Sequence, residues 1–244
     1  MRILAIETAT PVASAAVLDS SEILAETVTR APMQHLEWLL PAVHEMLRRL
    51  GLTPVAIEGL AVSCGPGGFT GLRIGIATAA AWAQARALPV VGVGTLEALA
   101  RVPGAPGLIV PALDAHRGEV AWALYDLGSD GQSVCVIPPL VGPPEALVAH
   151  LAPYAGPVLI VGDALSRYGE AILGGLGPRA RAGSAALHPR AATVGVMAFP
   201  RLAAGERTAP EALRPLYGRR PVAWPGVKET PSRGGNQGRG GNPR

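Results

Sequence analysis

One pattern occurs twice in the chain, once at the head of each half. An apolar run ends in an acid, a short turn follows, and a second apolar run returns to a closing aspartate. In the first copy Arg2 to Thr8 carries Glu7, Thr8-Ala9-Thr10-Pro11 turns, and Val12 to Leu18 returns to Asp19. In the second, Leu108 to Leu113 leads to Asp114, Ala115-His116-Arg117-Gly118 turns, and Glu119 to Tyr125 returns to Asp126. The acid lies twelve residues before the aspartate both times. Short apolar runs bounded by turn residues read as strands, so each copy is a β-hairpin. Two hairpins can agree by chance. The favoured reading is an internal duplication, which requires two similar subdomains.

The remaining elements fit an α/β chain. Ile23 to Val28 reads as a third strand. Leu36, Leu39, Leu40, Val43, Leu47 and Leu50 recur at helical spacing, with Pro41 at a start or bend and Gly51 as the stop. Leu60 to Cys64 is a short buried strand, followed by Gly65-Pro66-Gly67-Gly68-Phe69-Thr70 and a helix over Gly71 to Arg86. Val90 to Val93 is a strand, and Thr95 caps a short helix. In the second half, strands are expected at Ser133 to Ile137 and Val158 to Val161. Helices are expected at Pro144 to Leu151, Leu165 to Leu173 and Ala191 to Ala204. The Pro/Gly-rich stretch from Val102 to Gly107 is the best boundary. The expected division is therefore residues 1–102, 103–220 and a disordered Arg/Gly-rich tail, 221–244.

Charge narrows the function. Lys228 is the only lysine, which excludes a P-loop or a Schiff-base lysine in the body of the chain. The formal charge is +3, but from Gly218 onward there are six basic residues against Glu229, so residues 1–217 carry −2. Such a body is not expected to hold nucleic acid unaided, since that affinity comes mainly from neutralised phosphates. Two cysteines, Cys64 and Cys135, are too few for a disulfide framework and suit a reducing, cytoplasmic setting. Glu7 interrupts the N-terminal apolar stretch early, against a signal peptide. The longest apolar run, Ile74 to Ala85, falls short of the roughly 20 residues that span a bilayer, so no membrane segment is expected.

Three features can carry chemistry or binding. The glycine-rich loop enters a helix, where backbone amides favour an anion; a tight strand-to-helix turn without ligand accounts for it equally well. The hydroxyls of Thr8 and Thr10 follow an acid at a strand end, as in the phosphate site of the actin, sugar kinase and Hsp70 superfamily, but they are also ordinary turn residues. Glu7, Thr8, Thr10, Gly65 and Gly67 are thus the candidate phosphate contacts. Third, Gly71, Gly75, Ala79 and Ala83 form a ridge of small residues spaced by four, which lets another backbone approach. Its partner is either the chain's own sheet or a helix of another subunit, with Leu36, Leu39, Leu40 and Val43 beside it. No metal site is expected: none of the five histidines has a second at the i, i+4 spacing. Ser63 and Cys64, at a strand end, are read as packing rather than as a nucleophile, and no catalytic residue is assigned.

Several segments in order resemble the TsaB family: Met1 to Thr10, His35 with Leu39-Leu40-Pro41, Gly65 to Gly75, Asp114 to Val120, and Pro215-Leu216-Tyr217. The likeness spans residues 1–220. The chain departs from the family pattern at Gly68, where Ser is usual, and at Gly218-Arg219, where Leu-Arg is usual. The resemblance implies an actin-like fold of two similar subdomains, each a mixed sheet with flanking helices. It implies no catalysis of its own, and a heterodimer with the catalytic paralogue TsaD that works with the ATPase TsaE. That assembly moves threonylcarbamoyl from threonylcarbamoyl-AMP to N6 of the adenosine beside the anticodon, in tRNAs that read codons starting with A. It further implies a helical contact to TsaD through Leu36, Leu39, Leu40, Val43, Gly71, Arg73, Gly75 and Ala79. A homodimer is expected in isolation, tRNA contact only through the complex, and no tightly bound cofactor, with ATP or ADP at most at the level of the complex. The alternative is a nucleotide-dependent transferase of the same superfamily, active alone through Glu7, Thr8, Thr10 and the glycine-rich loop.

Overall fold

β1 (Arg2–Glu7) is the central strand of a five-stranded sheet, and all but its first residue are buried. A strand covered on both faces must be apolar on both, which is why Ile3 to Ile6 lacks polar alternation. β1 pairs antiparallel with β2 (Val12–Asp19), setting Arg2 opposite Asp19 and Glu7 opposite Ser14, and parallel with β4 (Gly59–Ser63). β3 (Glu22–Arg30) lies beyond β2, and β5 (Val90–Val93) beyond β4, giving the order β3-β2-β1-β4-β5. In the computed structural model, residues 1–30, 35–101, 106–129, 132–183 and 188–216 are described. Part of the expected boundary, residues 102–105, and the expected tail lie outside them.

The second sheet contains β6 (Gly107–Asp114), β7 (Val120–Leu127), β8 (Ser133–Gly142), β9 (Val158–Val161) and β10 (Ala180–Ala182), in the order β10-β9-β6-β7-β8. Replacing β1 to β5 by β6 to β10 reproduces the first sheet strand for strand, including its antiparallel and parallel pairs. The duplicated hairpins thus head two copies of one topology, and the fold is actin-like.

Helices cover both faces of each sheet. α1 (His35–Arg49) and α2 (Phe69–Arg86) lie on one face of the first, closing a core of Leu39, Val43, Met46, Leu47, Ile76 and Ala79 against Leu4, Ile6, Leu60 and Val62. Pro41 is inside α1, on its exposed side, so the hydrogen bond it removes faces solvent rather than the core. α4 (Pro144–Leu151) and α5 (Leu165–Leu176) cover one face of the second sheet. The two remaining helices are exchanged. α3 (Thr95–Ala100) precedes the second half but packs Leu96, Leu99 and Ala100 against Ile109, Leu113, Ala123 and Tyr125. α6 (Ala191–Ala203) follows the second half but packs Ala191, Val194, Met197 and Ala198 against Ile3, Ala5, Ala16 and Val91 of the first sheet.

The start of α6 shows how that packing is held. Its first amides would be unsatisfied, but Ser14 Oγ accepts from Ala191 N at 2.8 Å and Glu26 Oε1 from Ala192 N at 3.1 Å. Arg190 completes the arrangement with a two-pronged bond to Glu26, at 3.2 and 2.6 Å. Among the described residues no helix is long and apolar enough to cross a membrane.

Candidate functional site

A cleft of about 610 Å³ opens between the two halves. One wall is the turn Thr8 to Pro11 with Arg30, His35 and the start of α2. The other is Leu113, Asp114, His116, Asp163 and Arg167, and His188 joins them from the crossover that leads to α6.

The first wall is built by close approach of the hairpin turn to the glycine-rich loop. Gly68 N donates to Ala9 O at 2.7 Å. The Thr8 hydroxyl donates to Gly71 O at 2.8 Å, and the Thr10 hydroxyl to Val12 O at 2.9 Å. His35 Nε2 lies 3.0 Å from Thr10 O, an acceptor, so that nitrogen carries the proton. A side chain at Gly67 would collide with Ala9 O, and one at Gly71 with Thr8 O. These glycines are required by the backbone of the first hairpin, which occupies the space a Cβ would need.

Of the five candidate phosphate contacts, Thr8, Thr10 and Gly67 line the cleft, while Glu7 and Gly65 do not. Glu7 is fully buried behind the turn. Its Oε1 accepts from Ala9 N at 2.5 Å, and its Oε2 has no hydrogen-bond partner. Burial pushes its carboxyl up to about 7, with the Ser63 hydroxyl and the Ala9 amide pulling the other way. Ser63 is thus close enough to act on Glu7, although neither Ser63 Oγ nor Glu7 Oε2 makes a hydrogen bond of good geometry. Gly65 instead anchors the C-terminal segment: its N donates to Thr95 Oγ1 at 3.0 Å, a Cβ there would meet Leu216 O, and Leu216 N donates to Cys64 O at 2.6 Å. Both threonine protons are engaged by backbone carbonyls, and the acid is sealed behind the turn. Ser63 is fully buried, and burial followed by the nearby Glu7 pushes the Cys64 thiol up to about 11, which makes neither a poised nucleophile.

The second wall holds a polar cluster. Asp163 Oδ1 accepts from Asp114 N at 2.9 Å, tying the end of β9 to the end of β6. Asp114 Oδ1 accepts from His116 N at 2.7 Å, closing the second hairpin turn, in which His116 and Arg117 adopt left-handed backbone. His188 Nδ1 lies 3.8 Å from Asp163 Oδ2, and Arg167 Nη1 lies 3.8 Å from Asp114 Oδ2. Burial raises the Asp163 carboxyl and lowers the His188 imidazole, so both lean toward their neutral forms. Sequence reading had no signal for His188. Among the described residues no group of three or more His, Cys, Asp or Glu side chains can hold a metal ion.

The residues expected at a partner contact divide into two sets. Leu39, Val43, Gly71, Gly75 and Ala79 are buried within the chain. A side chain at Gly75 would strike the Thr8 hydroxyl, so the small-residue ridge serves α2's own packing on the first hairpin. Leu36, Leu40 and Arg73 point outward, with Leu36 68% and Leu40 53% exposed. Arg73 stacks on the ring of Phe69, itself half-exposed, with 3.7 Å between guanidinium carbon and ring centre. Ala77, Ala81 and Ala85 continue the exposed side of α2 at the same spacing of four.

Comparison with known proteins places this architecture. Residues 23–138 match the family model of TsaD, tRNA N6-adenosine threonylcarbamoyltransferase. The tRNA threonylcarbamoyladenosine biosynthesis protein TsaB of Escherichia coli is 33% identical over 228 residues, which cover 92% of this chain and 97% of that protein. The Bacillus subtilis protein of the same name is 33% identical over 189 residues, covering 77% and 82%. Among solved structures, YeaZ from Pseudomonas aeruginosa superposes with a TM-score of 0.77 at 30% identity, covering 88% of this chain and 99% of that one.

Proposed function

The chain belongs to the TsaB family, and from that premise we propose that it is a non-catalytic subunit of tRNA threonylcarbamoyladenosine synthesis that binds TsaD and activates it. The reaction it supports is transfer of threonylcarbamoyl from threonylcarbamoyl-AMP to N6 of the adenosine next to the anticodon. The observation that carries this reading is 33% identity, along nearly the full length of both chains, with a protein named for that pathway. The cleft adds support, because the Thr8 hydroxyl is committed to joining the hairpin turn to the start of α2 and the Thr10 hydroxyl to closing its own turn. The TsaD match over residues 23–138 also favours a partner built on a similar frame.

The contact proposed for TsaD is the outer side of α1 and α2: Leu36, Leu40, Phe69, Arg73, Ala77 and Ala81. Large apolar side chains concentrated on one exposed face mark an association surface. TsaE and tRNA would join through that complex, and any nucleotide would belong to the assembly rather than to this cleft.

Light scattering on the chain alone and mixed with TsaD from the same source tests the reading. A heterodimer peak, with tRNA modification only in the mixture, is expected. Leu40→Glu should abolish the peak while leaving the urea melting curve of the subunit unchanged. Normal co-elution of that variant would overturn the assigned face, and absence of any complex would overturn the function.

A further inference from the structure

The cleft carries cations that its own acids leave unengaged. Arg167 faces Asp114 and His188 faces Asp163, each at 3.8 Å, which is beyond hydrogen-bond distance. Among the described residues neither the Arg167 guanidinium nor His188 Nδ1 makes a hydrogen bond. Arg30, at the end of β3 on the opposite wall, makes neither an ion pair nor a hydrogen bond through its side chain among those residues. Asp114 balances Arg167, with His116 beside them, and Asp163 and His188 both lean toward neutral forms. The charge of Arg30 is therefore left without a counter-charge, and it reaches far enough into the cleft to act on His188.

The same cleft holds an acceptor in want of a donor. His35 lines it, is only 6% exposed, and has no hydrogen-bond partner at Nδ1. Its proton sits on Nε2, which donates to Thr10 O, so Nδ1 presents a bare lone pair. Buried polar atoms are nearly always paired, and one left unpaired costs free energy that a fitting ligand recovers. Ile74 and Leu113 add apolar wall between the polar groups. The volume of about 610 Å³ is that of a small-metabolite site.

We propose that the cleft binds a small monocarboxylate that also bears an N–H or O–H donor, its carboxylate held between Arg30 and Arg167 and its donor turned to His35. A guanidinium fork matches the two oxygens of a carboxylate. Charge favours a monoanion: a phosphate dianion would face Asp114 and Asp163 with one uncompensated cation to offset it. Arg30 belongs to the first half and Arg167 to the second, so the ligand spans the two. Arg167 is 61% exposed at the cleft mouth, so binding is weak and salt-sensitive. The inference does not depend on the TsaD reading.

Nuclear magnetic resonance titration of the full chain with N-acetyl-L-threonine, to about 20 mM, tests this. That probe carries one carboxylate, one N–H and one O–H. Saturable shifts are expected at the residues lining the cleft, with affinity falling as salt rises to about 0.3 M. The N-methylamide of the same compound, which lacks the charge, should not bind. Arg30→Gln should raise the dissociation constant about tenfold, and Arg167→Gln severalfold, since Asp114 already faces that guanidinium. Arg48→Gln, at the far end of α1, should leave it unchanged. Inorganic phosphate and ATP should bind severalfold more weakly than the probe. Far-UV circular dichroism checks each fold, and either arginine variant serves if the other does not fold. No saturable shift, equal binding of the N-methylamide, or a dissociation constant untouched by both arginine variants would overturn the proposal. Phosphate or ATP binding as tightly as the probe would overturn the carboxylate class.

Discussion

Replacing Glu7 by Gln should stabilise this protein at pH 8 and leave it nearly unchanged at pH 4.5. Glu7 is fully buried, and its carboxyl is raised from 4.5 to about 7, chiefly by that burial. In the unfolded chain it titrates near the ordinary value, so between pH 4.5 and 7 the folded state holds a proton that the unfolded state has released. Stability therefore falls with rising pH across that window and levels off above it. At about 1.4 kcal/mol per pH unit the fall attributable to Glu7 approaches about 3 kcal/mol. Gln keeps the oxygen that accepts from Ala9 N, carries no charge, and presents an amide N–H on the side of Ser63. Urea denaturation of both proteins from pH 4.5 to 8.5 isolates the effect, because Asp163, His188 and every other titrating group cancel in the difference. The wild-type curve should drop away from the variant's by about 3 kcal/mol between pH 4.5 and 7.5. Two parallel pH profiles, or a variant less stable by a constant amount throughout, would refute the buried-acid argument.

Glu26→Ala should cost about 1–2 kcal/mol in urea melts, since it uncaps α6 and strands Arg190; Arg190→Ala should cost less, because the cap remains. Gly71→Ala should destabilise by about 2–3 kcal/mol or prevent folding, its methyl meeting Thr8 O, whereas Ala77→Ser one and a half turns further along α2 should leave thermal melting unchanged. With a thiol reagent at pH 8, Cys135, which is exposed, should react quickly, and Cys64 only on the timescale of unfolding. Equal rates at the two thiols in native protein would contradict the burial of the β4 end.

What could be read from the chain and what could not have distinct physical causes. The hairpins were legible because turn residues and acids punctuate short apolar runs, and equal spacing in both halves made the duplicated topology an expectation. The sidedness of α2 was not legible. Gly71, Gly75, Ala79 and Ala83 form one small-residue ridge, and Ala77, Ala81 and Ala85 form another at the same spacing. Periodicity alone cannot tell which faces the sheet when both are apolar. On α1 the apolar period correctly marks an amphipathic helix, but Leu36 and Leu40 project from the exposed side while Leu39 and Val43 enter the core. The threonines of the first turn were visible, yet whether the Thr8 hydroxyl proton meets a ligand or a carbonyl depends on Gly71 O, which only the fold brings near. Asp163 and His188 meet through the crossover into α6, a distance in sequence that no local pattern spans.

The exchange of α3 and α6 bears on how the chain can be divided. A protease or an engineer cutting between the two sheets would obtain a first fragment carrying α3 without the strands that α3 covers, and lacking α6. Ile3, Ala5, Ala16 and Val91, now sealed by α6, would face water. The second fragment would lose its α3 cover over Ile109, Ala123 and Tyr125 and retain an unmatched apolar α6. Neither piece is a self-sufficient folding unit, and each carries the other's missing lid. Co-expressed halves should therefore find one another and reconstitute the protein, while either alone should aggregate, so the two copies of the ancestral pattern now behave as a single cooperative body.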